Sequence, residues 1–344
     1  MRIKIAVISA LIVIQADCLL AQETNLMRAQ RVHQEATIVF AHTHQYELSD
    51  FRAMLAGGVT AQVMKLTTDG IDWRDRQRIQ IPFVIGYAQM YSDRMDAVYD
   101  IVNNPANNAM VIRDVADFKT AKSEGKAAVI FGSEGIRHLE GDVTKLEEFY
   151  KRGLREIQIY WPSGCQVCDG EHLSDFGRQV IAEANRLGIL IDIGHIMQHS
   201  DAIFRDVLRE SSAPLIHSHD VGQDFGRKGD MTDEQIIALA QSGGGRGVYA
   251  LHGVTTFYPD RGVRGGESVA DAIDYFANRI GIDHIALGPD WFPEDEWQWT
   301  YETDEVFEVT LALVKRSYSD QDIKKVLGGN MIRLFENVRA AAKR

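Results

Sequence analysis

From residue 37 onward the chain repeats one arrangement: a short β-branched apolar run, a polar residue at its end, then a stretch with helical spacing. The runs are Thr37–Ala41, Val59–Leu66, Ala127–Phe131, Glu156–Tyr160, Ile189–Ile193, Pro214–Ile216, Gly247–Leu251 and His284–Leu287. Between them, Phe176–Leu187 places Val180, Ile181, Ala184 and Leu187 on one face, and helices over Thr232–Gln241 and Val269–Ile280 follow N-cap-like Thr232 and Ser268. Strands that alternate with helices require crossover connections and a parallel sheet. Eight such units in about 300 residues fit a closed (β/α)8 TIM-type barrel. A doubly wound open sheet is the alternative, but no Gly-x-Gly-x-x-Gly follows the first run. No linker or low-complexity tract interrupts the pattern, and Gly243-Gly244-Gly245 reads as a turn before the seventh run, so residues 22–344 are expected to form one catalytic domain.

The polar residues at the run ends carry the chemistry. His42 and His44 follow the first run, Glu134 the third, His195 the fifth, His217 and His219 the sixth, and Asp290 the eighth. In a barrel these positions share the C-terminal rim, where active sites are built. A single His there is ordinarily a packed polar residue and a single acid a helix cap. Such residues at five different strand ends together point instead to metal. His42, His44, His195, His217 and Glu134 exceed one tetrahedral zinc and suffice for two zinc ions that share Glu134 as a bridge, with a position left for water. Asp290 is then the proton-transfer residue, and metal-assisted hydrolysis is the expected reaction.

Residues 1–21 have the layout of a secretory signal: Arg2 and Lys4 precede the apolar run Ile5–Ile14, which is too short to span a bilayer, and Ala21 suits cleavage. The alternatives are an uncleaved N-terminal anchor and a lipoprotein modified at Cys18, which Asp17 fits poorly. Export to the periplasm or the medium is expected, and no later stretch approaches the length of a membrane helix. The net charge of -12 argues against nucleic acid or an anionic membrane as a partner and leaves a small-molecule substrate.

The stretches Phe131-Gly132-Ser133-Glu134-Gly135, Leu139-Glu140-Gly141-Asp142, Leu173–Arg178, Asn185–His195, His217-Ser218, Gly288-Pro289-Asp290 and Gly329–Phe335 resemble the membrane (renal) dipeptidase family of zinc peptidases, within the amidohydrolase superfamily. The resemblance runs from about residue 37 to 338 in order and spacing. It implies a (β/α)8 barrel with two zinc ions bridged by Glu134, His42 on the first, His195 and His217 on the second, Asp290 in proton transfer, and a homodimer. The family's His-x-Asp is His42-Thr43-His44 here, which leaves His44 a good but neutral ligand and makes both metals stronger Lewis acids. Its Glu-Gly-Gly-His becomes Glu134-Gly135-Ile136-Arg137. Trp161 stands where the family carries a His that steadies the substrate carbonyl, and the Arg-Asn pair that holds the dipeptide carboxylate becomes Arg227-Lys228-Gly229-Asp230.

These departures predict a hydrolase of a peptide or amide bond in a dipeptide-like molecule whose pocket is altered, with Trp161, Arg137, Arg227, Lys228 and His219 facing substrate. Three other outcomes stay open: cleavage of ordinary dipeptides with Arg137, Arg227 or Lys228 holding the carboxylate; a lactonase or esterase; and a non-catalytic binding protein. Tyr46, Asp220, His252 and Trp291 fall on the same rim, and His219, two residues after His217, is expected to face the same way and to serve as a spare ligand in one alternative. His33, His138, His172, His199 and His284 read as surface or packing residues. Cys165 and Cys168 read as a structural disulfide by the site mouth in an oxidising compartment, with free thiols the alternative.

Overall fold

The computed structural model of the chain describes residues 23–44, 47–68, 71–72, 77–78, 86–162, 164–220, 222, 231–251, 265–290 and 303–342. Its centre is a ring of eight parallel strands: β1 (Ile38–Thr43), β2 (Val59–Thr68), β3 (Ala127–Glu134), β4 (Glu156–Gln158), β5 (Leu190–Asp192), β6 (Leu215–Asp220), β7 (Val248–Leu251) and β8 (Ile285–Leu287). Each strand pairs with the next, and β8 closes on β1 where Leu287 meets Phe40. The chain therefore forms the expected (β/α)8 barrel. The apolar runs become strands because a barrel buries both faces of every strand, the inner against other strands and the outer against helices.

That division is visible in the core. Val39, Ala41, Val63, Ile130, Leu190, Ile216, Val248, Ala250 and Ala286 belong to one apolar cluster within the ring. Their sequence neighbours Phe40, Met64, Phe131, Ile191, Leu215, Tyr249 and Leu287 belong to a second, which packs the strands on the helices. The C-terminal helix Asn330–Ala342 adds Met331, Leu334, Phe335 and Val338 to the inner cluster, and the Asn330 amide donates to the carbonyls of Ile282 and Ile285 at 2.8 and 2.7 Å just before β8. This closes the bottom of the barrel and leaves the opposite rim for chemistry.

The structure departs from the sequence pattern in three places. β1, β3 and β6 run two to four residues beyond the apolar runs, so that His42, Glu134 and His219 are themselves in strands. A short strand, Ala109–Val111, pairs in parallel with the start of β3; its three residues are too few for a clear period. The helix expected from Val269 begins at Gly266 behind Gly265, which puts Ser268 inside its first turn, whereas Thr232 does cap Asp233–Ala240 by accepting from Gln235 N–H. Among the described residues no helix is long and apolar enough to cross a membrane. The export signal expected over residues 1–21 lies outside the described residues.

Gly288 sits where β8 meets the rim, and its N–H donates to the Leu251 carbonyl at 2.9 Å. A Cβ there would lie 1.7 Å from the Ser218 carbonyl oxygen, so only glycine lets β8 and β6 approach this closely. Gly288→Ala should destabilise the protein by at least about 2 kcal/mol through overpacking, read as a lowered midpoint in chemical denaturation; an unchanged midpoint would show that this approach is not needed.

Candidate metal centre

β1 delivers two imidazoles to the rim because its pairing with β2 shifts register between Phe40 and Thr43. Val39 and Ala41 point into the barrel, and the shift lets His42 and His44 turn inward beyond them. Their Nε2 atoms are 3.2 Å apart, and Asp290 Oδ1, from the turn after β8, lies 3.4 Å from His42 Nε2 and 3.1 Å from His44 Nε2. Glu134, the last residue of β3, reaches both sides of the site. Its Oε2 is 3.4 Å from His44 Nε2, and its Oε1 is 2.9 Å from His195 Nε2 and 3.8 Å from His219 Nε2. His195 and His219 approach each other at 3.0 Å between Nε2 atoms. Two donor groups result at the mouth, His42/His44/Asp290 and Glu134/His195/His219, each gathered within 4.8 Å, and a third among the described residues, His42/Asp192/His219, shares two of their imidazoles.

His217 is not in either group. Ile216 belongs to the inner cluster, so strand alternation turns His217 outward, beside Tyr249 at 5.9 Å between rings and 3.6 Å from Asp220 Oδ2. Tyr249 in turn packs on Phe276 of the helix Gly266–Ile280. A register shift between His217 and Asp220 then brings His219 back to the mouth. The expectation that two residues of separation keep both rings on one side fails at this irregularity, and the position expected of His217 is occupied by His219. Asp220 is buried rather than on the rim, and its carboxylate accepts from the N–H groups of Gly222 and Met231.

The surroundings orient these rings. His42 Nδ1 and His219 Nδ1 each lie 2.8 Å from the Ser218 hydroxyl, and the Gln198 amide is 3.0 Å from His195 Nδ1. Gln158 Nε2 donates to Glu134 Oε1 at 3.4 Å and to the Tyr160 carbonyl at 3.1 Å. Burial, reinforced by His219 and Lys65, pushes the His42 pKa well below its ordinary value, so its imidazole is neutral. His195 (φ 62°) and Asp290 (φ 54°) hold left-handed backbone, a conformation that costs a non-glycine residue about 1–3 kcal/mol and persists where the surroundings enforce it. Metal ions fit this donor set on its chemistry. Facing imidazole nitrogens need a proton or a cation between them, the rings of His42, His195 and His219 are steadied through their other nitrogens, and two carboxylates supply negative charge.

The remaining predicted residues line the approach or lie elsewhere. Trp161 follows β4 and stands edge-on to His195 with ring centroids 4.9 Å apart. Arg137 lies over the Tyr87 ring, donates to its hydroxyl at 3.2 Å, and neighbours Gly164, just before the Cys165–Cys168 disulfide. Tyr46, Arg227, Lys228, His252 and Trp291 lie outside the described residues. His138 is buried between Tyr91 and Phe149, and burial pushes its pKa down to about 3.

A (β/α)8 barrel with imidazoles and carboxylates gathered at its C-terminal rim has the architecture of a metal-site barrel. The chain belongs to the membrane dipeptidase family (peptidase family M19), which it matches over residues 7–344. It is 27% identical to dipeptidase tcpJ of Claviceps purpurea over 274 residues, covering 76% of this chain and 60% of that protein. With human dipeptidase 3 it shares 26% identity over 253 residues, 70% of this chain and 51% of the relative. The chain thus spans between half and two thirds of the length of these two relatives. An amidohydrolase of Pseudomonas aeruginosa has a similar fold, with TM-score 0.77 and 21% identity over 90% of this chain and 98% of that one. So does a metallopeptidase of Rhodobacter sphaeroides, solved with a phosphinate mimic of the dipeptide L-Ala-D-Ala, with TM-score 0.70 and 20% identity over 88% of this chain and 99% of that one.

The strand-end pattern missed the buried charges beneath the site. Lys65 of β2 is fully buried, and its ammonium donates to Glu156 Oε1 and Asp192 Oδ2, each at 2.8 Å. Lys65 and Asp192 are each a lone charge between apolar residues, a signal not tied to a strand end, whereas Glu156 opens its run directly after Arg155. Burial pushes the Glu156 pKa up to about 8 against the pull of Lys65. Burial opposes the ionised forms of Lys65 and Asp192 too, but their mutual attraction outweighs it, raising Lys65 and lowering Asp192. Near neutral pH the cluster is therefore an ammonium, a carboxylate and a protonated carboxyl group. Because the folded Glu156 pKa is raised above the unfolded value, its contribution to stability is complete below about pH 4.3 and is lost as pH rises toward 8. Between pH 6.5 and 8, stability of the metal-free protein should fall by about 1 kcal/mol per pH unit from this group, and Glu156→Gln should flatten that slope. Equal slopes in the two proteins, measured by urea denaturation, would refute the assignment.

Proposed function

We propose that this protein is a metal-dependent hydrolase that binds two zinc ions and cleaves the peptide or amide bond of a dipeptide or a dipeptide-like small molecule. The observation that carries this reading is the position of Glu134, which lies between the two donor groups, with Oε2 3.4 Å from His44 Nε2 in one and Oε1 2.9 Å from His195 Nε2 in the other, as a bridging ligand requires. His42 and His44 with Asp290 would hold one ion and His195 and His219 the other, with His219 in the place expected of His217. Bound there, the ions would supply a water of lowered pKa and polarise the scissile carbonyl. Asp290 is suited to take the proton from the attacking water and return it to the leaving amine. Its side chain is 16% exposed while those of His42, His44 and Glu134 are 0–2% exposed, and its N–H is tied to the His42 carbonyl at 3.1 Å.

The names of the relatives, and the dipeptide mimic bound by the Rhodobacter sphaeroides metallopeptidase, support a dipeptide-like substrate. Trp161 beside His195, and an imidazole at His44 in place of a carboxylate, favour a pocket that has moved away from ordinary dipeptides, with a lactone or ester as the second reading. We also propose that the protein is exported: residues 1–21 read as a signal, and the Cys165–Cys168 disulfide suits an oxidising compartment.

Elemental analysis should find about two zinc ions per chain. A panel of L,L- and L,D-dipeptides, N-acyl amino acids and lactones should yield turnover, and Asp290→Asn should lower kcat by about 10²–10⁴-fold while the protein stays folded. Turnover confined to lactones would select the second reading, and a folded wild type with neither metal nor turnover would leave a binding protein.

A further inference from the structure

We infer that Ser218 is a positioning residue shared by both metal ions: one buried hydroxyl sets the ring orientation of His42 in one donor group and of His219 in the other. Three observations lead here. The hydroxyl lies 2.8 Å from both Nδ1 atoms, and the two rings lie against each other with centroids 3.8 Å apart. Ser218 is wholly buried, so water does not compete for these contacts. Its backbone is held on both sides, since its N–H donates to Asp192 Oδ1 at 3.1 Å and its carbonyl faces Gly288, where even a methyl group would collide.

The chemistry of the hydroxyl fits this role. A serine oxygen accepts two hydrogen bonds and donates one. A histidine that offers its Nε2 lone pair to a metal carries its proton on Nδ1. Both Nδ1–H groups can therefore donate to Ser218 at once, which presents both Nε2 lone pairs to the site together. Asp192 is not itself a ligand in this arrangement, although it lies within 4.8 Å of His42 and His219. Its Oδ1 accepts from Gly194 N–H at 2.9 Å as well as from Ser218, and its Oδ2 accepts from Lys65. It anchors the backbone just before His195 and just before His219 instead.

This inference rests on the two-zinc reading, and the experiment separates the two. Zinc affinities of wild type, S218A, S218T and Q198A are measured by chelator competition, with cobalt(II) absorption spectra of the substituted proteins and melting of the metal-free forms as a folding control. Wild type should bind two ions. S218A should weaken both by about 10–100-fold and perturb the bands of both cobalt sites, with metal-free melting unchanged. S218T, which keeps the hydroxyl, should recover most of the affinity, whereas Q198A, which touches only His195, should weaken one ion. If S218T does not fold, the contrast between S218A and Q198A still decides. Two zinc ions in S218A with affinities within twofold of wild type, or a loss at one ion only, would overturn the shared role and leave the two-zinc reading standing. A wild type that binds no zinc would overturn both.

Discussion

A lysine ammonium at the centre of the barrel, held by the Asp192 carboxylate and the protonated Glu156 carboxyl group, is the interaction on which the rest of the rim depends. Lys65 joins β2 to Glu156 of β4 and Asp192 of β5, and Asp192 reaches β6 through Ser218 N–H. Four of the eight strands are thus tied by one ion pair and its hydrogen bonds just beneath the candidate ligands. A buried ion pair is a poor source of net stability, because desolvation offsets most of its attraction, but it is intolerant of misplacement. The gain here is geometric. A slip of β5 by one residue would bury an unpaired charge, and a slip of β4 would leave a buried carboxyl group without its partner, so the register that sets His195 and Ser218 is enforced by polar contacts as well as by apolar packing.

Above this layer the donor atoms are arranged by irregularities rather than by regular structure. Register shifts in β1 and β6 bring His42, His44 and His219 to the mouth, and left-handed backbone places His195 and Asp290. Each deviation has a local cost, and backbone contacts hold the two left-handed positions. Asp290 N–H is tied to His42, and Gly194 N–H, just before His195, to Asp192. The site is thus a strained top layer on a rigid base, the division of labour that pre-organised metal sites need.

How much of this was legible in the sequence can be argued residue by residue. The eight β-branched runs located all eight barrel strands, since burial on both faces leaves an unbroken apolar signature. His42, His44, Glu134, His195 and Asp290 stand out because polar residues at the ends of buried strands are few and fall on one rim. The exchange of His217 for His219 was not legible. Period-2 reasoning assumes a regular strand, and no residue between 216 and 220 marks the shift that breaks it. Ser218 was equally silent, because a serine in a strand carries no chemistry until two imidazoles turn toward it.

The sequence by itself determined the barrel, the rim and the kinds of donor atom, because these follow from hydrophobic period and residue type, which are local properties. Only the tertiary structure decided which histidines meet, that one hydroxyl serves two of them, and that Glu134 faces both groups. These depend on register and backbone sign across strands far apart in the chain, where a shift of one residue exchanges inside for outside.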